Sequence, residues 1–330
     1  MHNFWTSLKN PIFALAPLSG ITDSAFRRIC KGLGADIVYS ELSSSTAFVY
    51  QPEPTLRMIR FDESERPYVV QLFGNNPEHF AVASRYLSRE VKPDGIDINF
   101  GCPVPKVFKR GAGAALMTNL PLARDIIASV IENTDLPVSI KTRIRVKEVD
   151  LLSFLDCVVD LDIKAIMIHG RSYAQGFSGS NDIETTRNAR DHFKGIILAN
   201  GGVRNAAQAM ELLKKTCADG VGIARGALGN PWIFRQLKTG SSGGFNEKPA
   251  FEEVLRTAYE HARLSTDLKG ERGIIEMRKH LCWYLQQTPG TKELRQKAFK
   301  IGNLDDVADL LANAVHKSRQ IVVDGITPCA

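Results

Sequence analysis

The chain has 330 residues, 44% of them apolar and 24% charged, with no biased tract longer than a few residues, so a disordered or fibrous protein is excluded. No apolar run approaches the roughly 20 residues of a membrane helix, and the N-terminus lacks an export signal, so a cytoplasmic protein without a membrane partner is expected. The net charge of +6 is compatible with an anionic partner but does not require one.

Short Ile- and Val-rich runs recur along the first 235 residues: IFALAP (12–17), DIVYSE (36–41), YVVQLF (68–73), GIDINF (95–100), VSIKTR (138–143), AIMIHG (165–170), GIILAN (195–200) and DGVGIA (219–224). Nearly continuous apolar character predicts strands buried on both faces, as in a parallel sheet. Amphipathic segments lie between them: Phe26, Ile29, Cys30 and Leu33; Phe80, Ala83 and Leu87; Ala206, Ala209, Met210 and Leu213, the last opened by Asn205 as N-cap. Eight strands alternating with helices over this length predict an α/β fold, a (β/α)8 TIM barrel. A doubly wound open sheet is the alternative, but no G-x-G-x-x-G follows the first run. The barrel is expected over 1–238, a linker opened by TGSSGG over 239–245, and a small helical bundle over 246–330. The bundle's stripes are Phe251, Val254, Leu255, Ala258; Met277, Leu281, Tyr284, Leu285; and Val307, Leu310, Leu311, Ala314.

Possible functional residues, most of them polar, recur where the strands end, the layout of a barrel active site: Pro17, Gln71, Asn99, Lys141, His169, Asn200 and Arg225. Of the six cysteines, at 30, 102, 157, 217, 282 and 329, no two stand at C-x-x-C spacing, so reduced thiols are expected. Cys102 follows the fourth run in the turn Gly101-Cys102-Pro103. There it can be a nucleophile or an acid, and an unperturbed thiol, a few per cent ionised at neutral pH, suits proton donation. Burial as a plain structural thiol is the competing reading. Lys141 suits a Schiff base, a retained charge facing an anion, or a snorkelling barrel-end cation. His169 and Arg171 close the sixth run ahead of the glycine-rich QGFSG (175–179). Gly201-Gly202 and the segment Gly222, Ala224, Arg225, Gly226 follow the seventh and eighth, where barrels often bind phosphate.

At these residues the sequence resembles the tRNA-dihydrouridine synthases, the bacterial B-type most closely. APLSGITDSAFR (16–27), QLFG (71–74), NFGCPVPKVFKRGAGAALM (99–117), SIKTR (139–143), HGR (169–171), NGGV (200–203) and RGALGNPWIF (225–234) carry the likeness, with EMRKHLCWYLQQTPGTKELR (276–295) extending it through the helical segment. The resemblance implies an FMN-containing barrel that reduces uridine in tRNA to 5,6-dihydrouridine. NADPH, or alternatively NADH, reduces the flavin, the flavin gives hydride to C6, and the cysteine matching Cys102 protonates C5. It implies that Lys141 lies beside the flavin pyrimidine edge and that Pro17, Leu18 and Gln71 contact the isoalloxazine. His169, Asn200, Gly202 and the 222–226 segment match flavin and phosphate contacts, while Asn99, Arg171 and Gln175 match positions near the target base.

From Lys269 to Lys300 there are eight Lys or Arg against three Glu. Arg272, Arg278, Lys279, Lys292, Arg295, Lys297 and Lys300 are therefore expected to grip the tRNA backbone, in a protein acting as a monomer. Three departures from the family stand out: Leu18 where Met is common, Ala224 where Gly is usual, and SNDIE (180–184) where A-D-W is usual. The last is expected to bear on substrate choice. Three rival functions are weighed: a flavin barrel reducing a free pyrimidine, a Schiff-base aldolase using Lys141, and a non-catalytic RNA chaperone. The basic helical segment speaks against the first, and Cys102 together with Lys141 against the last. Flavin absorbance of the purified protein would exclude the aldolase.

Overall fold

Each apolar run folds as a strand: β1 (Ile12–Leu15), β2 (Ile37–Tyr39), β3 (Tyr68–Phe73), β4 (Gly95–Asn99), β5 (Val138–Arg143), β6 (Ile163–His169), β7 (Ile196–Asn200) and β8 (Gly220–Ile223). This computed structural model describes residues 3–240, 248–287 and 292–323. Every neighbouring pair is parallel, β1 pairs with both β2 and β8, and a β2–β3 pairing completes the circuit. The result is the eight-stranded parallel barrel that the strand count predicts. β1 stops two residues before Pro17, which has no N–H to give the ladder. Helices return the chain between strands. Asp23 caps Ser24–Gly32 by accepting from the Phe26 N–H, and Asn205 caps Ala206–Thr216 by accepting from Gln208. Each such cap is worth about 1 kcal/mol.

The alternation of a strand sorts the barrel interior into layers. Ile12, Ala14, Ile37, Tyr39, Val69, Ala165, Met167 and Leu198 form an apolar cluster, which Phe4 and Trp5 join from the N-terminal 3-10 turn Phe4–Ser7. Two residues further along the same strands, polar side chains take over: Gln71 above Val69, and Asn200 above Leu198. Asp97 and Asn99 on β4 lie in register with Ser139 and Lys141 on β5. An apolar floor thus carries a polar mouth at the C-terminal end of the barrel. Two short pairings were not expected from the sequence. Ser43–Ser44 adds to the end of β3, and Arg145–Val146 pairs with Val149–Asp150 in a hairpin after β5.

By its internal contacts the chain divides into two units, Met1–Arg225 and Gly226–Ala330. The second contains helices Ile233–Thr239, Phe251–Lys269, Glu271–Tyr284, Lys292–Ala298 and Leu304–Val323. All three expected stripes take part in its core: Leu255 and Ala258, Met277, Leu281, Tyr284 and Leu285, and Val307, Leu310, Leu311 and Ala314 are buried. Gly273 lets its helix lie against the preceding one, since a Cβ there would come within 2.0 Å of the Ser265 carbonyl oxygen. Most of the expected linker falls on residues 241–247, outside the described residues; Thr239 ends a helix. Among the described residues no helix is long and apolar enough to cross a membrane.

Candidate active site

A chain of hydrogen bonds runs from a buried carboxylate to the backbone of Cys102. Asp97 is fully buried and accepts from Ser139 Oγ at 2.7 Å and from Gln71 Nε2 at 2.6 Å. The carboxylate can only accept, so it fixes which way the Gln71 amide faces. Gln71 Oε1 then accepts from Asn99 Nδ2 at 2.9 Å, which fixes Asn99 in turn. Asn99 Oδ1 accepts the backbone N–H groups of Gly101 at 3.1 Å and Cys102 at 2.8 Å. Strand register explains the relay: Gln71, Asp97 and Ser139 are direct cross-strand partners.

The Cys102 turn is held from the other side by Arg143. Its Nε donates to the Gly101 carbonyl at 2.8 Å, and its Nη1 donates to the carbonyls of Ser172 and Gly176, both at 3.0 Å. The Cys102 thiol is half-buried. Burial raises its pKa, against the opposing pull of the Val104 N–H, Arg143 and Lys141, so the thiol stays protonated at neutral pH.

Basic groups crowd the mouth beside this turn. Lys141 donates to Asn200 Oδ1 at 3.3 Å, and Asn200 Nδ2 donates to the Gly222 carbonyl at 2.7 Å. Burial, aided by Arg143, pushes Lys141 down to about 8. Burial also brings Arg143 down to about 10 and lowers Arg171, whose neighbour Arg225 adds to the effect. His169 falls well below its ordinary value through burial and then through Lys141, Arg143, Arg171 and Arg225, so the ring is neutral. Arg171 Nε donates to the Gly179 carbonyl, but its buried Nη1 has no hydrogen-bond partner among the described residues. Cations that suppress one another's protonation around an unsatisfied guanidinium N–H make a site built for an anion.

The backbone here leaves room. Gly201 and Gly202 adopt φ values of 117° and 73°, and a Cβ on Gly201 would come within 2.6 Å of His169 Cδ2. A Cβ on Gly222 would come within 2.6 Å of Met167 Sδ. Pro17 and Leu18 are half-buried after β1, Ala224 packs at the edge of the apolar floor, and Arg225 opens the turn Arg225–Ala227 that includes Gly226. Gln175 is engaged within its own loop, where Oε1 accepts from the Ser172 N–H and Nε2 donates to the Ser180 carbonyl.

Three contributors escaped the sequence reading. Asp97 and Arg143 share strand parity with Asn99 and Lys141, a signal that could have found them. Asn181, in the SNDIE departure, donates to the Gly201 carbonyl at 2.7 Å, and its buried Oδ1 has no partner among the described residues. The departure therefore reaches the seventh-strand glycines, a contact made between the loops that follow two neighbouring strands.

In the helical unit the expected basic residues are placed unevenly. The Arg278 guanidinium donates twice to the Ile301 carbonyl, and Arg272 pairs with Glu276, as does Lys269. Lys279 and Arg295 are half-buried, while Lys292, Lys297 and Lys300 are exposed.

Residues 14–320 match the family model described as dihydrouridine synthase. The chain belongs to the dihydrouridine synthase family. It is 31% identical over 308 residues to "Probable tRNA-dihydrouridine synthase 1" of Synechocystis sp., covering 92% of this chain and 86% of that one. It is 34% identical over 284 residues to tRNA-dihydrouridine synthase B of Shewanella oneidensis, covering 85% and 88%. Among solved structures, 6-hydroxypseudooxynicotine amine oxidase from Pseudomonas geniculata N1 superposes with a TM-score of 0.55 at 9% identity. That match covers 77% of this chain and 51% of the other, and it shows a shared barrel fold alone. Membership of the dihydrouridine synthase family makes the chain an enzyme.

Proposed function

We propose that this enzyme is an FMN-dependent, NADPH-driven tRNA-dihydrouridine synthase in which Cys102 protonates C5 of a uridine. The observation that carries the reading is the Cys102 turn, its backbone held by Asn99 and Arg143 beside a basic cluster with an unsatisfied buried N–H. Curated relatives at 31% and 34% identity bear the name tRNA-dihydrouridine synthase.

The residues present fit FMN. The Gly201-Gly202 turn, where a Cβ would strike His169, and the 222–226 segment with the charge of Arg225 offer a place for its phosphate. Lys141, oriented by Asn200, holds a cation for the pyrimidine edge, and Pro17, Leu18 and Gln71 hold the ring system. When bound, FMN supplies hydride to uracil C6, with NADPH as its reductant. Cys102 keeps its proton because burial disfavours the thiolate, and Asn99 fixes the turn from which that proton is given. Asn99, Arg171 and Gln175 flank the place for the base. Because the target lies within a folded RNA, the base must leave its stack. Lys292, Lys297 and Lys300 of the helical unit, with Arg272, Arg278, Lys279 and Arg295, supply charge for the backbone.

The test is a comparison of substrates. Purified protein should carry FMN and, with NADPH, form dihydrouridine in undermodified tRNA far faster than it consumes free uridine. Comparable turnover of free uridine would replace the RNA substrate with a small pyrimidine.

A further inference from the structure

The RNA-substrate reading leaves unassigned a second set of cations, on the barrel beside Cys102. The short helix Pro105–Lys109 is bound to the Cys102 turn. The Ala114 N–H donates to the Cys102 carbonyl, the Ala112 N–H donates to the Val107 carbonyl, and a Cβ at Gly113 would meet Cys102 Cβ at 3.0 Å and Val107 Cγ1 at 3.1 Å. Val107 and Phe108 are half-buried, so the helix turns its other residues outward: Lys106, Lys109 and Arg110 are exposed. Phe108 packs against Tyr173 with ring centroids 4.4 Å apart and planes tilted by 30°, and Lys147, at the exposed turn of the 145–150 hairpin, sets its ammonium 5.7 Å from the Phe108 ring. Four cations therefore border one aromatic pair at the rim next to the thiol.

Nothing neutralises them. Residues 102–113 contain no carboxylate, and among the described residues none of the four cations makes an ion pair. Glu148 is the acidic neighbour of Lys147 in the turn, and Asp150 is engaged with Arg145 at 3.8 Å. Four like charges held on a rigid edge repel one another unless an extended anion lies along them. Cations interleaved with aromatic rings are the surface that a looped-out RNA strand fits.

We propose that Lys106, Lys109, Arg110 and Lys147 bind the backbone phosphates immediately flanking the target uridine. The inference rests on the RNA-substrate reading and adds a local grip on the barrel, separate from the charge of the helical unit. A strand held there would present its nucleotide to Cys102 whatever the rest of the RNA contacts.

The FMN-loaded protein is tested by filter binding against two RNAs, an undermodified tRNA transcript and a single-stranded nonamer with one central uridine. Charge reversal by K106E/K109E/R110E should weaken nonamer and transcript binding about ten-fold or more at about 50 mM KCl. It should also flatten the dependence of log affinity on log salt by about 0.7 for each phosphate that is no longer neutralised. K106R/K109R/R110K should retain wild-type binding of both. Reversal of Lys292, Lys297 and Lys300 should weaken the transcript and spare the nonamer. If K106E/K109E/R110E melts early, the alanine triple variant and K147E read the same surface. Nonamer affinity and salt slope unchanged in these variants would overturn the rim. A wild-type protein that binds neither RNA would overturn the RNA-substrate reading, and the rim with it.

Discussion

Asp97 shows how one residue can govern a site that it never reaches. It ionises at about 6 rather than near its ordinary 3.8, chiefly because burial penalises the charge. Gln71, Ser139 and Lys141 recover only part of that penalty. A carboxyl raised by about 2 units favours the folded state only while protonated. Its contribution is complete below about pH 4 and lost as the pH rises through about 6, at order of magnitude 3 kcal/mol. We expect Asp97→Asn to gain melting temperature relative to wild type between pH 4.5 and 7.5. Parallel melting profiles would show that the Asp97 carboxyl is not raised within the barrel. The price at neutral pH is set against function: an acceptor-only group is what points Gln71, then Asn99, then the Cys102 N–H. Lys141 gives the complementary prediction. Its proton is lost near pH 8 in the free protein, and an anionic partner would raise that value. FMN affinity of the apoprotein should therefore hold below about pH 8 and decline above it, while Lys141→Met should bind more weakly and lose that decline. A profile for Lys141→Met that still falls above pH 8 would assign the effect to another group.

At the scale of the element, packing constraints decide what the sequence reveals. Gly273 sits where two helices of the second unit cross, 2.0 Å from the Ser265 carbonyl oxygen for any Cβ placed there. Gly273→Ala should destabilise by about 1–3 kcal/mol and lower the melting temperature by several degrees. An unchanged transition would mean the helices are not this close. The eight strands were legible because burial on both faces leaves long apolar runs, and the polar mouth because strand parity carries Gln71, Asn99, Lys141 and Asn200 to one end. The hairpin after β5 and the reach of Asn181 to Gly201 were not legible. The first is a turn too short to leave a periodic signal, and the second depends on how the loops after two neighbouring strands meet, which no local pattern records. The family resemblance went further than the pattern alone, since G-C-P-x-x-K with G-A-G names a cysteine that periodicity could only place.

For the whole molecule, charge is more informative as a distribution than as a sum. The net +6 says little, and solvent screens exposed ion pairs such as Arg124–Asp160 and Arg263–Glu260. Among the described residues, cations without an ion pair gather around the barrel mouth and along the rim that carries the Cys102 loop, and Lys292, Lys297 and Lys300 are exposed in the helical unit. An apolar floor, a half-buried thiol and a basic mouth suit the proposed function, in which the barrel holds an anionic cofactor and gives a proton to a base. The most direct measurement is dihydrouridine content by nucleoside mass spectrometry, after undermodified tRNA is incubated with NADPH and either the FMN-loaded wild type or its Cys102→Ala variant. The wild type should add two hydrogens to one or more uridines, and Cys102→Ala should do so at least about a hundred-fold more slowly. Equal rates for the two proteins, or no dihydrouridine from the wild type, would contradict the assignment of Cys102 as the acid of a tRNA-reducing enzyme.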